Sequence, residues 1–541
     1  MILNGSEILA NVLIEEGVDT VFGYPGGSVL PVYKALYASK KIKHIRTSHE
    51  QGAAHAADGY ARVSGKTGVC IATSGPGATN LVTGIANAYM DSVPVVFITA
   101  NVPLSLIGTD SFQEVDITGI TMSVTKHNFM VQDVNELADT IREAFRIANT
   151  GRKGPVLIDI PIDIQNAVIK GFKYPEELNM RTYKPTVKGN TVQIKKVIKE
   201  LEKAKRPIIC AGGGVHLSEA VDELRAFSHK HKIPVVSTMM GIGVMPTKDS
   251  MYFGMVGNNG FTYANRAMNE SDLLIMVGAR VADRAISQPD LITENKILVH
   301  IDVDPAEIGK NVGPTIPLVG DAKHIFEDLS AQECNCEHDA WINTLEEYKN
   351  TMSKKRTPNA NYVDPARFIE ILSEEMKDDA VYVADVGQNQ IWSCNYHIVK
   401  DGRFLTSGGM GTMGYSIPAA MGAKRGDKSK QVIAVCGDGS FQMSMMELAT
   451  MNQHDIPVKI IVLKNNYLGM VRQYQHFTYK DNYSVVDIKD GTPNLEKLAA
   501  AYDIPFIRVE NMTNAKEQIK EFLKEDETML MECLVDPMDL V

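Results

Sequence analysis

No apolar run in this 541-residue chain is long enough to cross a bilayer: stretches such as Val93–Ala100 and Pro457–Leu463 fall far short of the roughly 20 residues a spanning helix needs. Basic residues are outnumbered, 55 Lys and Arg against 66 Asp and Glu, giving a net charge of −11. Such a surface repels phosphate backbones, so neither nucleic acid nor a membrane is expected as a partner. Cysteine is sparse: seven residues, an odd number, are scattered from Cys70 to Cys533. Only Cys334 and Cys336 lie close together, and a single intervening residue fits neither a zinc knuckle nor a redox CxxC. Reduced thiols in a cytoplasmic protein are the expectation. The start of the chain shows no basic segment followed by an apolar run; a helix is expected over Ser6–Glu16, and no signal or transit peptide. Short-period repeats and low-complexity tracts are also missing.

What is present is an ordinary globular composition, 44% hydrophobic and 22% charged, in a chain too long for one core. One pattern recurs: a β-branched run, a glycine turn, a helical stretch and another β-branched run. Thr67–Thr73, Ser74–Thr79, Asn80–Met90 and Val93–Thr99 follow it. So do Pro207–Cys210, Ala211–Gly214, Ser218–Lys230 and Pro234–Ser237, and then Gln431–Val435, Gly437–Ser440, Phe441–His454 and Val458–Leu463. Strands alternating with helices of this length predict βαβ units and an α/β fold of doubly wound parallel sheets. Two polar stretches interrupt the pattern, Tyr174–Asn190 and Glu333–Asn361, the second partly helical. Read as linkers, they divide the chain into domains 1–173, 190–332 and 362–541, each of a size for one open sheet.

The most informative segment is Gln431–Met470. A strand ends at Cys436, Gly437-Asp438-Gly439-Ser440 turns into a helix, and a second strand ends at Asn465-Asn466. A right-handed crossover makes the two strands parallel, so Asp438 and Asn465 emerge at the same sheet edge, where open α/β sheets bind ligands. The glycines let backbone N–H groups approach a phosphate at a helix N-terminus. A carboxylate and an amide oxygen are hard ligands suited to Mg2+, which shares its coordination with substrate phosphates and water. Asp438 and Asn465 are therefore read as bridging the ion to a diphosphate, with a backbone carbonyl at Tyr467 as a third protein ligand. Alone, GDGS is a common turn and NN a common loop; the strand–helix–strand spacing between them carries the specificity.

This arrangement resembles the diphosphate signature of thiamine-diphosphate enzymes. Asp385-Val386-Gly387-Gln388-Asn389-Gln390 and Gly408-Gly-Met-Gly411-Thr-Met413-Gly are similar to that family's other cofactor loops. The resemblance implies cofactor contacts at Val386, Gly387, Gln388, Asn389, Gly411, Gly437, Gly439, Ser440, Tyr467, Leu468, Gly469 and Met470. It also implies that Met413 props the cofactor into a bent shape; the plainer role for Met413 is core packing. In the first third, His49-Glu50-Gln51-Gly52-Ala-Ala-His-Ala-Ala-Asp58-Gly-Tyr-Ala-Arg62 follows an expected strand, Ile42–Ser48. A glutamate enclosed at that junction without a partner would be costly to ionise. Hydrogen-bonded to the aminopyrimidine nitrogen, such a carboxyl drives the tautomerisation that lets thiamine activate itself. Glu50 matches the family's activating glutamate by position; alone, it would read as a glutamate favoured by a helix dipole.

Further segments narrow the resemblance to acetolactate synthases over nearly the whole chain: Phe22-Gly-Tyr-Pro-Gly-Gly27, Thr73-Ser-Gly-Pro-Gly-Ala-Thr-Asn80, Thr109-Asp-Ser-Phe112-Gln113-Glu114, Thr125-Lys-His-Asn128 and Gly154-Pro-Val-Leu-Ile-Asp-Ile-Pro161. The resemblance implies two thiamine-diphosphate-binding folds, a pyrimidine domain and a diphosphate domain, flanking a Rossmann-like middle domain. Gly27, Phe112 and Gln113 would line the reacting centre, though Phe112 equally suits wall packing. The middle domain would bind FAD through Arg152, Gly213, Gly214, Thr238, Arg280, Asp302 and Asp321. Arg284 would hold the carboxylate of the second 2-oxo acid by a bidentate contact; the alternative is an arginine paired at the surface with Asp283.

The implied activity is decarboxylation of pyruvate and condensation of its two-carbon unit with a second pyruvate or 2-oxobutyrate, in branched-chain amino acid synthesis. Alternatives are another thiamine-diphosphate decarboxylase or carboligase, or a flavin-linked pyruvate oxidase. The implied assembly is a homodimer or homotetramer, with a small regulatory subunit as a further partner. The sequence departs from the family at Tyr474 (usually Trp), Ile162 (usually Lys), Asn389 (usually His) and Val281-Ala282 (usually Phe-Asp). It ends at Val541, where the family continues into a tail over the site, so a wetter site is expected.

Overall fold

The computed structural model describes residues 2–541 except 179, 287 and 353–355. Aliphatic runs such as Val432–Gly437 and Lys459–Lys464 are buried along most of their length, as central strands covered on both faces must be. Eighteen strands form three sheets of six, and within these sheets every recorded pairing is parallel. From edge to edge the first sheet runs Lys43–Arg46, Thr20–Tyr24, Gly68–Ala72, Val95–Asn101, Val156–Pro161, His127–Met130. The last runs Arg403–Thr406, Val381–Ala384, Val432–Gly437, Lys459–Lys464, Met529–Leu534, Phe506–Val509. Numbered from their own first strands, both have the order 2-1-3-4-6-5. The middle sheet runs Tyr252–Met255, Val235–Ser237, Pro207–Ala211, Leu273–Val277, Ile297–Asp302, Ile316–Val319, the order 3-2-1-4-5-6 of dinucleotide-binding sheets.

The expected elements form with ends shifted by a few residues, and two differ in kind. The single helix expected over Phe441–His454 is two, Asp438–Ser444 and Glu447–His454. Met445 and Met446 keep right-handed dihedrals, but the chain tightens to i→i−3 bonds, Leu448 N–H to Met445 O and Ala449 N–H to Met446 O, which interrupts the α-helical ladder. The polar stretch 333–361 carries a core-forming helix, Asp339–Met352, whose Trp341, Ile342 and Leu345 pack with the middle sheet's strands.

First and last sheets meet through one helix from each, Glu50–Ser64 and Ser416–Gly426. They cross so closely that Gly59 lies against the Ala419 carbonyl and Gly422 against the Ala56 carbonyl, leaving no room for a side-chain carbon at either glycine. Phe22, Tyr60 and Phe97 from one side share a single apolar core with Tyr415, Met421 and Phe441 from the other. Within it, Arg62 pairs with Asp58 at 2.7 Å and Asp91 at 2.9 Å, the Tyr415 hydroxyl donates to Asp58 at 2.7 Å, and Gly409 N–H donates to Asp91 at 2.7 Å. Burial of this depth is tolerable only because every charge is paired. Gly422→Ala is expected to destabilise the chain by about 1–3 kcal/mol, since backbone cannot yield as a flexible side chain would. A lowered urea midpoint with unchanged far-ultraviolet circular dichroism is the readout.

Candidate active site

The order 2-1-3-4-6-5 changes direction between strands 1 and 3, and the loops leaving those strands part to form a crevice. In the last sheet these are Val381–Ala384, followed by Asp385–Asn389, and Val432–Gly437, followed by Asp438. The Asp385 carboxylate organises the place: it accepts from Val386 N–H at 2.8 Å, Gly414 N–H at 2.9 Å and Ser416 N–H at 2.7 Å. Burial raises its pKa and these three donors oppose the rise. The bonds fix the 385–389 loop against the loop carrying Met413.

A cleft of about 50 Å³ opens there, lined by Val386, Gly387, Gln388, Asn389, Met413, Gly437, Asp438, Gly439, Ser440, Asn465, Tyr467, Leu468, Gly469 and Met470. Asp438 is almost wholly buried and its Oδ2 accepts from Asn466 N–H at 2.7 Å. Burial pushes its pKa up to about 6, with the Asn466 bond acting against it. Asn466 takes a left-handed φ of 63°, turning the chain so that Asn465 Oδ1 accepts from Tyr467 N–H at 3.0 Å. Asn465 Nδ2 donates to Gln388 Oε1 at 3.1 Å, tying the two loops across the crevice. The Gln388 side chain lies where a side chain on residue 469 would stand, so a larger residue there would displace Gln388 from its bond to Asn465. Gly411 belongs elsewhere, to the wall of the neighbouring cavity described below.

The first sheet presents its own crevice at the same topological position, where Thr20–Tyr24 and Gly68–Ala72 end. Glu50 is the first residue of its helix and is 9% exposed. Contrary to the expectation of an unpartnered carboxyl, Asn80 Nδ2 donates to its Oε2 at 3.0 Å. Asn80 stands in the TSGPGATN segment, but nothing in its spacing announced this contact. Gln113 crowds Gly75 and holds a left-handed φ of 61°, an uncommon conformation for a residue with a side chain. Phe112 is 86% exposed. Neither Glu50, Gly27, Phe112 nor Gln113 lines the cleft around Asp438, so a single chain does not bring the two groups together.

A larger cavity of about 690 Å³ lies against the middle sheet, at the switch between Pro207–Ala211 and Leu273–Val277. Arg152, Gly213, Gly214, Thr238, Arg280, Asp302 and Asp321 all line it, as does Arg284. Val386, Gly387 and Met470 line both this cavity and the Asp438 cleft, so the two are adjacent. Arg152 is engaged by Glu307 at 2.9 Å and Asp304 at 3.4 Å. Burial pushes Asp302 up to about 6 and Arg403 down to about 10. Arg403 lines the same cavity and its buried Nε has no hydrogen-bond partner, a residue the sequence reading missed. Arg284 Nη1 donates to the Tyr474 hydroxyl at 3.1 Å, while its Nε lies 3.8 Å from Asp283.

Three family profiles match the chain: the N-terminal TPP binding domain of thiamine pyrophosphate enzymes over residues 3–120, their central domain over 194–329, and their C-terminal TPP binding domain over 385–533. A probable acetolactate synthase large subunit of Methanocaldococcus jannaschii is 44% identical over 547 residues, covering 99% of this chain and 92% of that protein. The acetolactate synthase large subunit of Lactococcus lactis subsp. lactis is 42% identical, covering 98% of this chain and 92% of its own length. That of Corynebacterium glutamicum is 43% identical, covering 96% and 84%. No described helix is long and apolar enough to cross a membrane. With three parallel sheets in their expected sequence and likeness along almost its whole length, the chain belongs to the acetolactate synthase large-subunit family of thiamine pyrophosphate enzymes.

Proposed function

We propose that the protein is an acetolactate synthase, decarboxylating pyruvate and joining the resulting two-carbon unit to a second pyruvate or 2-oxobutyrate for branched-chain amino acid synthesis. The observation that carries this is the pairing of half-sites. Glu50 and the Asp438–Asn465 pair occupy the same switch position in two sheets of identical strand order, yet do not meet within one chain. A cleft of about 50 Å³ is also too small for a whole coenzyme, since small-molecule sites run to some hundreds of Å³. The site is completed when the first sheet of one chain faces the last sheet of a second copy, making the working unit a homodimer or a tetramer of such pairs. The relatives named as large subunits support a small regulatory subunit as a further partner. Seven free cysteines fit a reducing, cytoplasmic setting.

Asp438, Asn465 and the Tyr467 carbonyl have the hard oxygen chemistry to hold Mg2+, and Gly437, Gly439 and Ser440 present a phosphate-sized turn. Thiamine diphosphate, when bound, supplies the acidic ring carbon that makes decarboxylation of a 2-oxo acid feasible. The chain's residues position and protonate. Glu50 would exchange a proton with the aminopyrimidine nitrogen, and Asn80 fixes the carboxyl's orientation. Met413, whose terminal carbon approaches Gly439 in the cleft, would support the coenzyme between its two ends. Gln113 and Phe112 would border the reacting centre from the partner side. Arg284 orients the carboxylate of the acceptor.

The middle cavity fits FAD. Its strand order, its glycine turn at the switch point and the unpaired Arg403 Nε suit a dinucleotide's phosphates. The role is structural, a wall of the adjoining cleft.

Incubating the purified protein with pyruvate, thiamine diphosphate and Mg2+, with and without FAD, tests the proposal. Acetolactate is the expected product; acetate with stoichiometric peroxide would replace it with the pyruvate oxidase reading. Tyr474→Phe is a finer probe. The bond joins two exposed side chains, so its loss corresponds to the ordinary net value of about 1 kcal/mol. The Michaelis constant for the acceptor should rise about three- to tenfold with kcat little changed. An unchanged constant would mean Tyr474 does not position Arg284.

A further inference from the structure

Outside the cavities described above, the fold brings a histidine beside two neighbouring cysteines from which the sequence separates it by about a hundred residues. His231 ends the helix Val221–His231, and the chain returns about a hundred residues later through Cys334 and Cys336, between the helices Ala322–Ser330 and Asp339–Met352. Cys334 Sγ lies 3.4 Å from Cys336 Sγ, and Cys336 Sγ lies 3.6 Å from His231 Nδ1. One ligand atom from each of the three lies within 4.8 Å of the other two. Two sulfurs and a nitrogen bound at roughly 2.3 and 2.05 Å to a tetrahedral ion stand about 3.5–3.8 Å apart, so the side chains are close to the spacing that one ion requires.

The site is preformed around the three. His231 is 3% exposed and turns Nδ1, not its unpartnered Nε2, toward Cys336 Sγ. The surrounding backbone is pinned: His338 Nδ1 donates to the His231 carbonyl at 3.0 Å, and Lys232 pairs with Asp339 at 2.7 Å. Both cysteines are partly exposed, so an ion can enter, while the other five are buried. We propose that His231, Cys334 and Cys336 bind one thiophilic d10 cation of the Zn2+ class, with water in the fourth position, fastening the segment 331–338 to the end of the helix Val221–His231. Thiolate and imidazole select such ions over Mg2+ or Ca2+, which separates this site from the one at Asp438. A disulfide is the competing fate of the pair. Glu202, Lys230 and His338 are the charged or titratable groups around the pair.

The test uses the full-length protein, reduced, stripped with chelator and reloaded with thiamine diphosphate and Mg2+ so that the Asp438 site is filled. Cd2+ is titrated as a spectroscopic probe and Zn2+ in competition. One ion per chain is expected, with a cadmium–thiolate charge-transfer band that Zn2+ abolishes and a thermal midpoint raised by Zn2+. In Cys334→Ser/Cys336→Ser the band should vanish and affinity fall more than about a hundredfold, with carboligation activity unchanged. His231→Gln should keep the band and bind more weakly. Were the double variant to fold poorly, Cys334→Ser alone would serve, losing roughly half the band. Absence of the band, its survival in the double variant, or thiol counting that finds the pair as a disulfide in freshly purified protein would each overturn the proposal.

Discussion

Glu50→Gln is expected to cut turnover by about two to four orders of magnitude, the range assigned to a positioned general acid–base, while the protein still binds thiamine diphosphate within a few-fold of normal. The expectation rests on where Glu50 stands. It opens a helix at the switch point of the first sheet, is buried, and its Oε2 is already held by Asn80. Glutamine preserves the size and the acceptor for Asn80 but cannot exchange a proton with a ring nitrogen, so the chemistry is lost and the packing is not. Turnover from product formation and coenzyme affinity from a binding titration separate the two. Purified Glu50→Gln protein with near-normal turnover would remove Glu50 from the mechanism.

The second large effect is at Asp438. Asp438→Ala should weaken thiamine diphosphate binding by more than about a hundredfold, partly recoverable with excess Mg2+, because a carboxylate is the strongest of the three oxygens proposed for the ion. Truncation also releases Asn466 N–H, the bond that sets the turn at Asn465. Asp438→Asn distinguishes the two contributions: it keeps an acceptor for Asn466 but drops the charge, and should bind coenzyme better than the alanine variant and worse than the parent. Equal affinity in all three proteins would place the diphosphate elsewhere.

Much of this was legible before any coordinates. The βαβ rhythm implied parallel sheets, because strand and helix periodicities are local and each crossover is short. Asp438 and Asn465 could be placed at one edge because a right-handed crossover leaves little freedom between them. Local patterning could not place contacts made across the fold. Within its loop Asp385 has no local mark of its role, yet its three backbone donors come from residues 386, 414 and 416. Gly411 sits in a motif shared with Met413 but lines the neighbouring cavity, a placement that only the folded loop decides. The break at Met445 and the core role of the helix Asp339–Met352 escaped for the same reason: tertiary packing decides them, and nothing nearby in sequence reports it. Cys334 and Cys336 looked inert until the fold delivered His231 beside them.

The glycine crossing between Glu50–Ser64 and Ser416–Gly426 reaches beyond its own seam. One continuous apolar core spans both outer sheets, and the middle segment, besides two cores of its own, lends Ile242 and Met255 to the last sheet's core. The outer two thirds, although separated by the whole central segment, should therefore exchange the amide hydrogens of their shared core as one slow foldon. A first third made on its own would leave its alanine-rich helix uncovered on the face against which Ser416–Gly426 packs.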